Sequence, residues 1–347
     1  MIIPWCTCSL RSMEWCRNQR DVGLESGRHC ALADVRGPSG TWAFDGCVHI
    51  DLSMPNTHWA DPFNKPLGLR SVDMVKLAPL LAKTNMTHLR LAGLTGIHHT
   101  HEQPGFEATG MIALAAVLSA HLKVLEIPGN AIGDKGVMAL AEALLARPPG
   151  APPLCLNLEV NSIGDTGAIA LARAIRVGHV QQLNLNHNWV GAEGSEALAS
   201  ALAVVRPQGG PGSALRVLSL AGNNVAERGA AAFAAALQSN RVLRTLNLYS
   251  NHIGTEGALS LAPVLAGTSL DELDLSYNYI DANGEDAAAR ALVAALRGGT
   301  SLRKLDLRWN HFHDCRCGAP MRLRRAAVRQ SGLELLLERR SEAEEAE

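Results

Sequence analysis

Leu243-x-x-Leu246-x-Leu248-x-x-Asn251-x-Ile253-Gly254 decides how this chain folds, because its frame returns at Asn130, Asn161, Asn188, Asn223 and Asn278, and in its first half at Asn310. In each full copy, apolar residues stand three and five positions before the asparagine and two after it, and a glycine stands six after it. A frame that recurs at near-regular intervals marks an internal repeat, and a repeat array fixes the architecture before any other feature is read.

Periodic burial explains the frame. In Leu246-Asn247-Leu248 a polar residue sits between two leucines, so a short strand turns the leucines inward and leaves Asn247 toward water. The framing asparagine ends the strand, where its amide satisfies backbone groups that the bend would leave unpaired. After the turn come apolar pairs four apart, Leu140 and Leu144, Leu171 and Ile175, Leu198 and Leu202, Phe233 and Leu237, Leu261 and Leu265, which is helical spacing. Alanine fills much of the rest, as in Ala230, Ala231, Ala232, Ala234, Ala235 and Ala236, favouring helix and close approach to the strands.

Each unit is one strand plus one helix that cannot bury its apolar face alone, so the units stack into one body. The asparagines lie 31, 27, 35, 28, 27 and 32 residues apart from Asn130 to Asn310. The longer intervals hold insertions. Arg147-Pro148-Pro149-Gly150-Ala151-Pro152-Pro153 and Arg206-Pro207-Gln208-Gly209-Gly210-Pro211-Gly212 suit neither helix nor strand and are expected as exposed loops. An earlier repeat is recovered at Leu89-x-Leu91, with Leu94 in the asparagine slot, helix residues Leu114 and Leu118, and an inserted loop from His98 to Gly105.

The expected organisation is a non-repeat segment over 1–45, disordered or folded over the first repeat, then a divergent capping repeat over 46–85. The array with its C-terminal cap follows over 86–337 and an acidic tail over 338–347. The cap holds a strand at Val48-His49-Ile50-Asp51-Leu52 and a helix from Ser71 to Ala82. The resulting fold class is α/β, a solenoid with parallel strands on its concave face and helices on its convex face.

Net charge is −1, from 32 basic and 33 acidic side chains, so no global field selects nucleic acid or an anionic membrane. Arg322, Arg324, Arg325 and Arg329 read as the polar face of a capping helix, without the interleaved aromatic residues of a nucleic-acid platform. No apolar run reaches the roughly 18 residues of a membrane helix. The start Met1-Ile2-Ile3-Pro4-Trp5-Cys6 lacks a basic region and an apolar core, and a cytoplasmic protein is expected.

Three clusters carry metal-ligand residue types: Cys6-Thr7-Cys8 with Cys16; His98, His99 and His101; and His311-Phe312-His313-Asp314-Cys315-Arg316-Cys317. None has the usual C-x₂₋₄-C spacing or a second helical histidine. Solvated histidines and reduced, inert thiols are expected, with no metal and no cofactor. Catalytic arrangements are missing too: the chain has no Gly-Lys dipeptide, hence no Walker loop, and no G-x-S-x-G elbow. A non-enzymatic protein is expected, with no small-molecule substrate.

The informative surface is the one the strands display. Four positions before each asparagine stand Glu126, Asn157, Asn184, Ser219, Asn247, Asp274 and Asp306, preceded by Arg90, and two positions before stand Pro128, Glu159, Asn186, Ala221, Tyr249, Ser276 and Arg308. With strands about 4.8 Å apart, this ladder suits a protein and is too open for a metabolite. Its middle is amide-rich. Its later repeats add Glu272, Asp274 and Asp306 with Tyr249, Tyr277 and Trp309, a composition common in binding hot spots. Tyr249, Asp274, Tyr277, Asp306, Arg308 and Trp309 are the expected main contacts for a protein with a basic segment, with Glu126, Glu159, Asn184, Asn186, Asn247 and Glu272 extending the face. Trp189 is expected at the rim.

Units such as Leu156-x-Leu158-x-x-Asn161-Ser162-Ile163-Gly164-x-x-Gly167-x-x-x-Leu171-Ala172 resemble the ribonuclease-inhibitor subclass of leucine-rich repeats, the type found in ribonuclease inhibitor, NOD-like receptors and the Ran GTPase-activating protein. The resemblance covers 86–337 and implies a horseshoe that binds proteins. A NOD-like receptor resemblance would also imply a nucleotide-binding domain, which has no counterpart in this sequence. A Ran-activator resemblance would imply accelerated GTP hydrolysis on a small GTPase; no catalytic residue of that family matches a position here. The reading is therefore a protein-interaction scaffold or regulatory subunit, with GTPase activation as the alternative.

Overall fold

The computed structural model describes residues 28–31, 44, 46–52, 69–92, 106–203, 213–313, 318–330 and 332–337. Among them, eleven strands form a single open sheet whose order follows the chain, every pair parallel. The strands are β1 (Arg28–Ala31), β2 (Cys47–Asp51), β3 (His88–Arg90), β4 (Val124–Glu126), β5 (Leu154–Asn157), β6 (Val180–Asn184), β7 (Val217–Ser219), β8 (Thr245–Asn247), β9 (Glu272–Asp274), β10 (Lys304–Asp306) and β11 (Glu334–Leu336). The helices between them are α1 (Ser71–Leu81), α2 (Glu107–Ala115), α3 (Gly133–Leu145), α4 (Asp165–Arg176), α5 (Ala192–Leu202), α6 (Ala226–Ser239), α7 (Gly254–Leu261), α8 (Ala287–Gly298) and α9 (Ala319–Val328). This is the expected α/β leucine-rich repeat solenoid, one strand and one helix per unit.

The core runs the length of the stack between the two layers. Leu246, Leu248, Leu273 and Leu275 of the frame and Phe233, Leu237, Leu261 and Leu292 of the helices are all buried. Neighbouring helices approach so closely that glycine is required at some crossings. A Cβ on Gly257 would stand 2.5 Å from Ile253 Cγ2 and 3.0 Å from Ala230 Cβ.

The framing asparagines hook one repeat to the one before. The Nδ2 of Asn130, Asn161, Asn188, Asn223, Asn251, Asn278 and Asn310 donates to the carbonyls of Leu91, Ile127, Leu158, Leu185, Leu220, Leu248 and Leu275 respectively, each in the preceding repeat, at 2.7–3.0 Å. Their Oδ1 atoms accept backbone N–H groups from that same preceding repeat, as Asn278 does from Asn251 at 2.8 Å and Asn310 from Asn278 at 3.0 Å. A second hook joins the helices. Asp134 Oδ1 accepts from Gly164 and Gly167 of the next unit, and Asp165 Oδ1 from Gly191 and Gly194, so each aspartate caps its neighbour's helix start.

Four details differ from the sequence reading. The non-repeat segment supplies a strand, β1, beside β2. Leu118 lies beyond the end of α2, partly buried. Leu265 packs from a 3₁₀ turn over Ala262–Gly267, since Pro263 removes the N–H that would continue α7. In the loop over 147–153, Pro148, Pro149, Gly150 and Pro153 are exposed as expected, but Arg147 is buried, and its Nη2 donates to the carbonyls of Ala120, Leu122 and Pro152 at 3.1, 2.9 and 2.9 Å. The loops over 206–212 and 98–105, and Leu94, lie outside the described residues, apart from the start of the helical unit at Phe106.

The C-terminal cap follows the reading. Arg324, Arg325 and Arg329 are exposed on α9, while Arg322 bonds to Asp286, which also holds Arg290. No described helix is long and apolar enough to cross a membrane.

Candidate protein-binding face

The strand side carries three in-register columns. The column four before each asparagine reads Asp51, Arg90, Glu126, Asn157, Asn184, Ser219, Asn247, Asp274 and Asp306. Much of it is engaged internally. Asn157, Asn184, Asn247, Asp274 and Asp306 each accept the backbone N–H two residues on, from Glu159, Asn186, Tyr249, Ser276 and Arg308, at 2.9–3.1 Å. Short polar side chains recur here because they close this local turn. Sideways contacts close the column further: Asn184 Nδ2 donates to Glu159 Oε2 at 3.3 Å, Arg90 bridges Asp51 and Glu126 at 3.5 and 3.3 Å, and Ser219 Oγ donates to Asn186 at 2.7 Å. Glu126, Glu159, Asn184 and Asp306 are consequently buried, where the alternation of side chains leads one to expect exposure.

The C-terminal end is different. Tyr249 and Tyr277 are half-buried with ring centroids 5.9 Å apart, Glu272 and Arg308 are exposed, and Trp309 is 60% exposed. Arg308 Nη2 donates to Asp306 Oδ2 at 2.6 Å, which holds the guanidinium above its ordinary pKa and removes Asp306 from direct contact with a partner. Asp274 has its pKa raised by burial, against hydrogen bonds from Ser276, with the Asp306 charge adding to the rise. Burial thus favours its neutral form over the carboxylate.

From the row just past the asparagines, sequence singled out Trp189 alone, as a partly buried rim residue, and it is 68% exposed. Trp189, His252, Tyr279 and His311 stand one position after successive framing asparagines other than Asn223, and they form a rim along the strand ends. His252 and Tyr279 stack at 5.7 Å and Tyr279 and His311 at 6.0 Å, and Tyr279 and Trp189 are 49% and 68% exposed. Tyr277, Tyr279, Trp309 and His252 all adopt left-handed backbone, with φ of 61°, 57°, 58° and 55°. Bulky side chains are disfavoured there, by roughly 1 kcal/mol or more. The signal was legible as an aromatic or histidine at a fixed offset from three of the last asparagines.

Most of the cysteine and histidine clusters cannot be placed relative to this face. Cys6, Cys8, Cys16, His98, His99, His101 and 314–317 lie outside the described residues, and the described residues contain no group of His, Cys, Asp or Glu arranged for a metal. Phe312 is core and His311 belongs to the rim. Cys47 and Cys155 are disulfide-bonded. That corrects the expectation of reduced, inert thiols at these two cysteines.

The family described as Leucine Rich repeat matches at 118–141, 154–172, 179–199, 239–262 and 300–314. A ribonuclease inhibitor of Sus scrofa is 34% identical over 184 residues, covering 52% of this chain and 39% of the relative. The chain thus spans well under half the length of that relative. A chain of the crystal structure of the Rad7 and Elc1 complex in yeast aligns at 13% identity over 79% of this chain and 86% of that one, with a TM-score of 0.29. The repeat class and the relative both support a protein-binding scaffold. The asparagine frame, the parallel sheet in chain order, the repeat-family match and the ribonuclease inhibitor relative together support an α/β leucine-rich repeat solenoid that is similar to the ribonuclease-inhibitor subclass.

Proposed function

We propose that the chain is a non-enzymatic scaffold that binds a protein with a basic segment across β8–β10 and their aromatic rim. The observation that carries the reading is the strained, exposed aromatic row. Tyr279 and Trp309 occupy costly backbone conformations without burying their rings, with Tyr277 half-buried between them, and such cost persists where the exposed group is used. Tyr and Trp are also the side chains that dominate interface hot spots. Glu272 and Asp274 supply the negative charge beside them. Asn247 and Arg308 extend the contact and Asp306 lies beneath it, while Asn186 and the buried Glu126, Glu159 and Asn184 continue the face toward β4.

A ribonuclease is the first ligand to try, because the curated relative is by name an inhibitor of one. The test compares the intact chain with a folded variant carrying Tyr249→Ala, Glu272→Lys, Tyr279→Ala and Trp309→Ala. Binding is measured by calorimetry against a ribonuclease and by capture of basic proteins from lysate. Loss of at least about tenfold in affinity, roughly 1.4 kcal/mol, supports the reading, and equal binding by both proteins overturns it. Faster single-turnover GTP hydrolysis by a Ran-like GTPase would instead favour the activator reading.

A further inference from the structure

Cys155 stands on β5 six positions before its framing asparagine, and strand alternation turns it to the face opposite the core residue Leu156. Its Sγ lies 3.3 Å from Oε1 of Gln182, its register partner on β6, and it is disulfide-bonded. Bonded cysteines have Cα atoms about 4.4–6.8 Å apart. Cys47 on β2 is three strand spacings from β5, about 14 Å, and Cys30 on β1 is four, about 19 Å. Cys315 and Cys317 follow β10, itself five spacings away on the other side, about 24 Å. Of the eight cysteines in the sequence, that leaves Cys6, Cys8 and Cys16 as partners within reach of a bond.

We infer that the N-terminal segment carrying Cys6, Cys8 and Cys16 is a built-in occupant of the strand face over β4–β7, pinned there by a disulfide to Cys155. Reach allows it. Cys16 stands 12 residues before Arg28, where β1 begins, and 12 extended residues span up to about 40 Å, twice the distance from β1 to β5.

Burial along the same column supports an occupant. Side chains on this face of a bare sheet meet water, yet Val124, Cys155, Gln182 and Val217 on β4 to β7 are only 6, 3, 3 and 4% exposed. The column changes at β8: Thr245 and Lys304 are half-buried, and Glu272 and Glu334 are exposed. Val124 and Val217 give the buried stretch an apolar floor. Ile2, Ile3, Trp5, Leu10 and Trp15, interleaved with the three cysteines, bring the apolar surface to cover it. The chain thus fills the early part of its own face and leaves β8–β10 open to a partner.

Peptide mapping of the full chain tests the pairing. The folded protein is equilibrated in a glutathione redox buffer, where two thiols pass two protons and two electrons to glutathione disulfide, which leaves as two glutathione thiols. Free thiols are then alkylated, and the chain is digested with trypsin without reduction. The peptide holding Cys155 should appear linked to 1–11, which holds Cys6 and Cys8, or to 12–17, which holds Cys16. Recovery of Cys155 alkylated, or linked to Cys30, Cys47, Cys315 or Cys317, overturns the pairing. Carbene footprinting reads the cover. Val217 should label at least about threefold less than its neighbour Thr245 in the parent, and the two should approach equality in Cys155→Ser. An unchanged ratio in that variant overturns the pinned occupant, and the mapping decides the pairing whether or not Cys155→Ser folds.

Discussion

The frames around Asn130 and Asn161 and those around Asn251, Asn278 and Asn310 share one backbone and differ in what they hang on it. In the early pair, the left-handed positions beside the asparagine hold Gly129, Ala131, Val160 and Ser162, and in the late group they hold Ser250, His252, Tyr277, Tyr279 and Trp309. The scaffold therefore does not call for aromatic rings there. Because similar φ values are met without any ring in the early pair and by four rings in the late group, Tyr279 and Trp309 exposed among them, the rings are the part of the late repeats that stability does not explain.

The largest expected effect tests whether the frame itself is common scaffold. Asn251→Ala removes donations to Leu220 and Tyr249 at 2.8 and 2.9 Å and an acceptor for the Val225 N–H at 3.2 Å, all in a buried place. Stranded buried groups cost about 1–3 kcal/mol each, so a loss of about 3 kcal/mol is expected in chemical denaturation. An unchanged melting temperature would break the claim that both halves rest on the same hooks.

A smaller effect separates scaffold from site. Tyr279→Asn places at φ 57° a residue that accepts left-handed backbone, and should stabilise the fold by about 0.5–1 kcal/mol while weakening ligand binding. Ser162→Asn, at the equivalent early position, should stabilise similarly and leave binding untouched. If both variants bind alike, the distinction between the halves falls.

The smallest effect concerns pH. Burial raises the Asp274 pKa, so the folded chain holds that proton to higher pH than the unfolded chain does. The sign follows: the group's contribution is fully present below the unfolded carboxylate value of about 3.9 and is lost as pH rises through the raised folded value. Asp274→Asn should flatten the decline in stability from mildly acidic to neutral pH, measured by denaturant titration at several pH values. A slope equal to the parent's would show that burial does not hold the Asp274 proton in the folded chain.

What sequence conveyed best was whatever repeats within one unit. The alternation of Leu246 and Leu248 and the pairs such as Phe233 and Leu237 define strand and helix locally, and the structure places them so. Contacts between units were less legible. That Asp165 caps the helix after Gly191, or that Asn184 leans on Glu159, depends on register between segments 25 to 29 residues apart. Strand β1 has no period because it is not a repeat. The aromatic face was half legible: Tyr249, Tyr277 and Trp309 were marked by type, while Tyr279 and His252 sat one step beyond the asparagine where strand reasoning stops.

The asparagine hooks all point one way. Each takes and gives hydrogen bonds to the repeat before it, so a unit has its backbone completed by the unit that follows. Synthesis also runs in that direction, at about 5–20 residues per second. Each repeat leaving the ribosome then waits a few seconds for its successor to finish it, and the growing tip always ends in a unit whose bend still lacks its partners. The array matures from behind, as a zipper closes behind its slider.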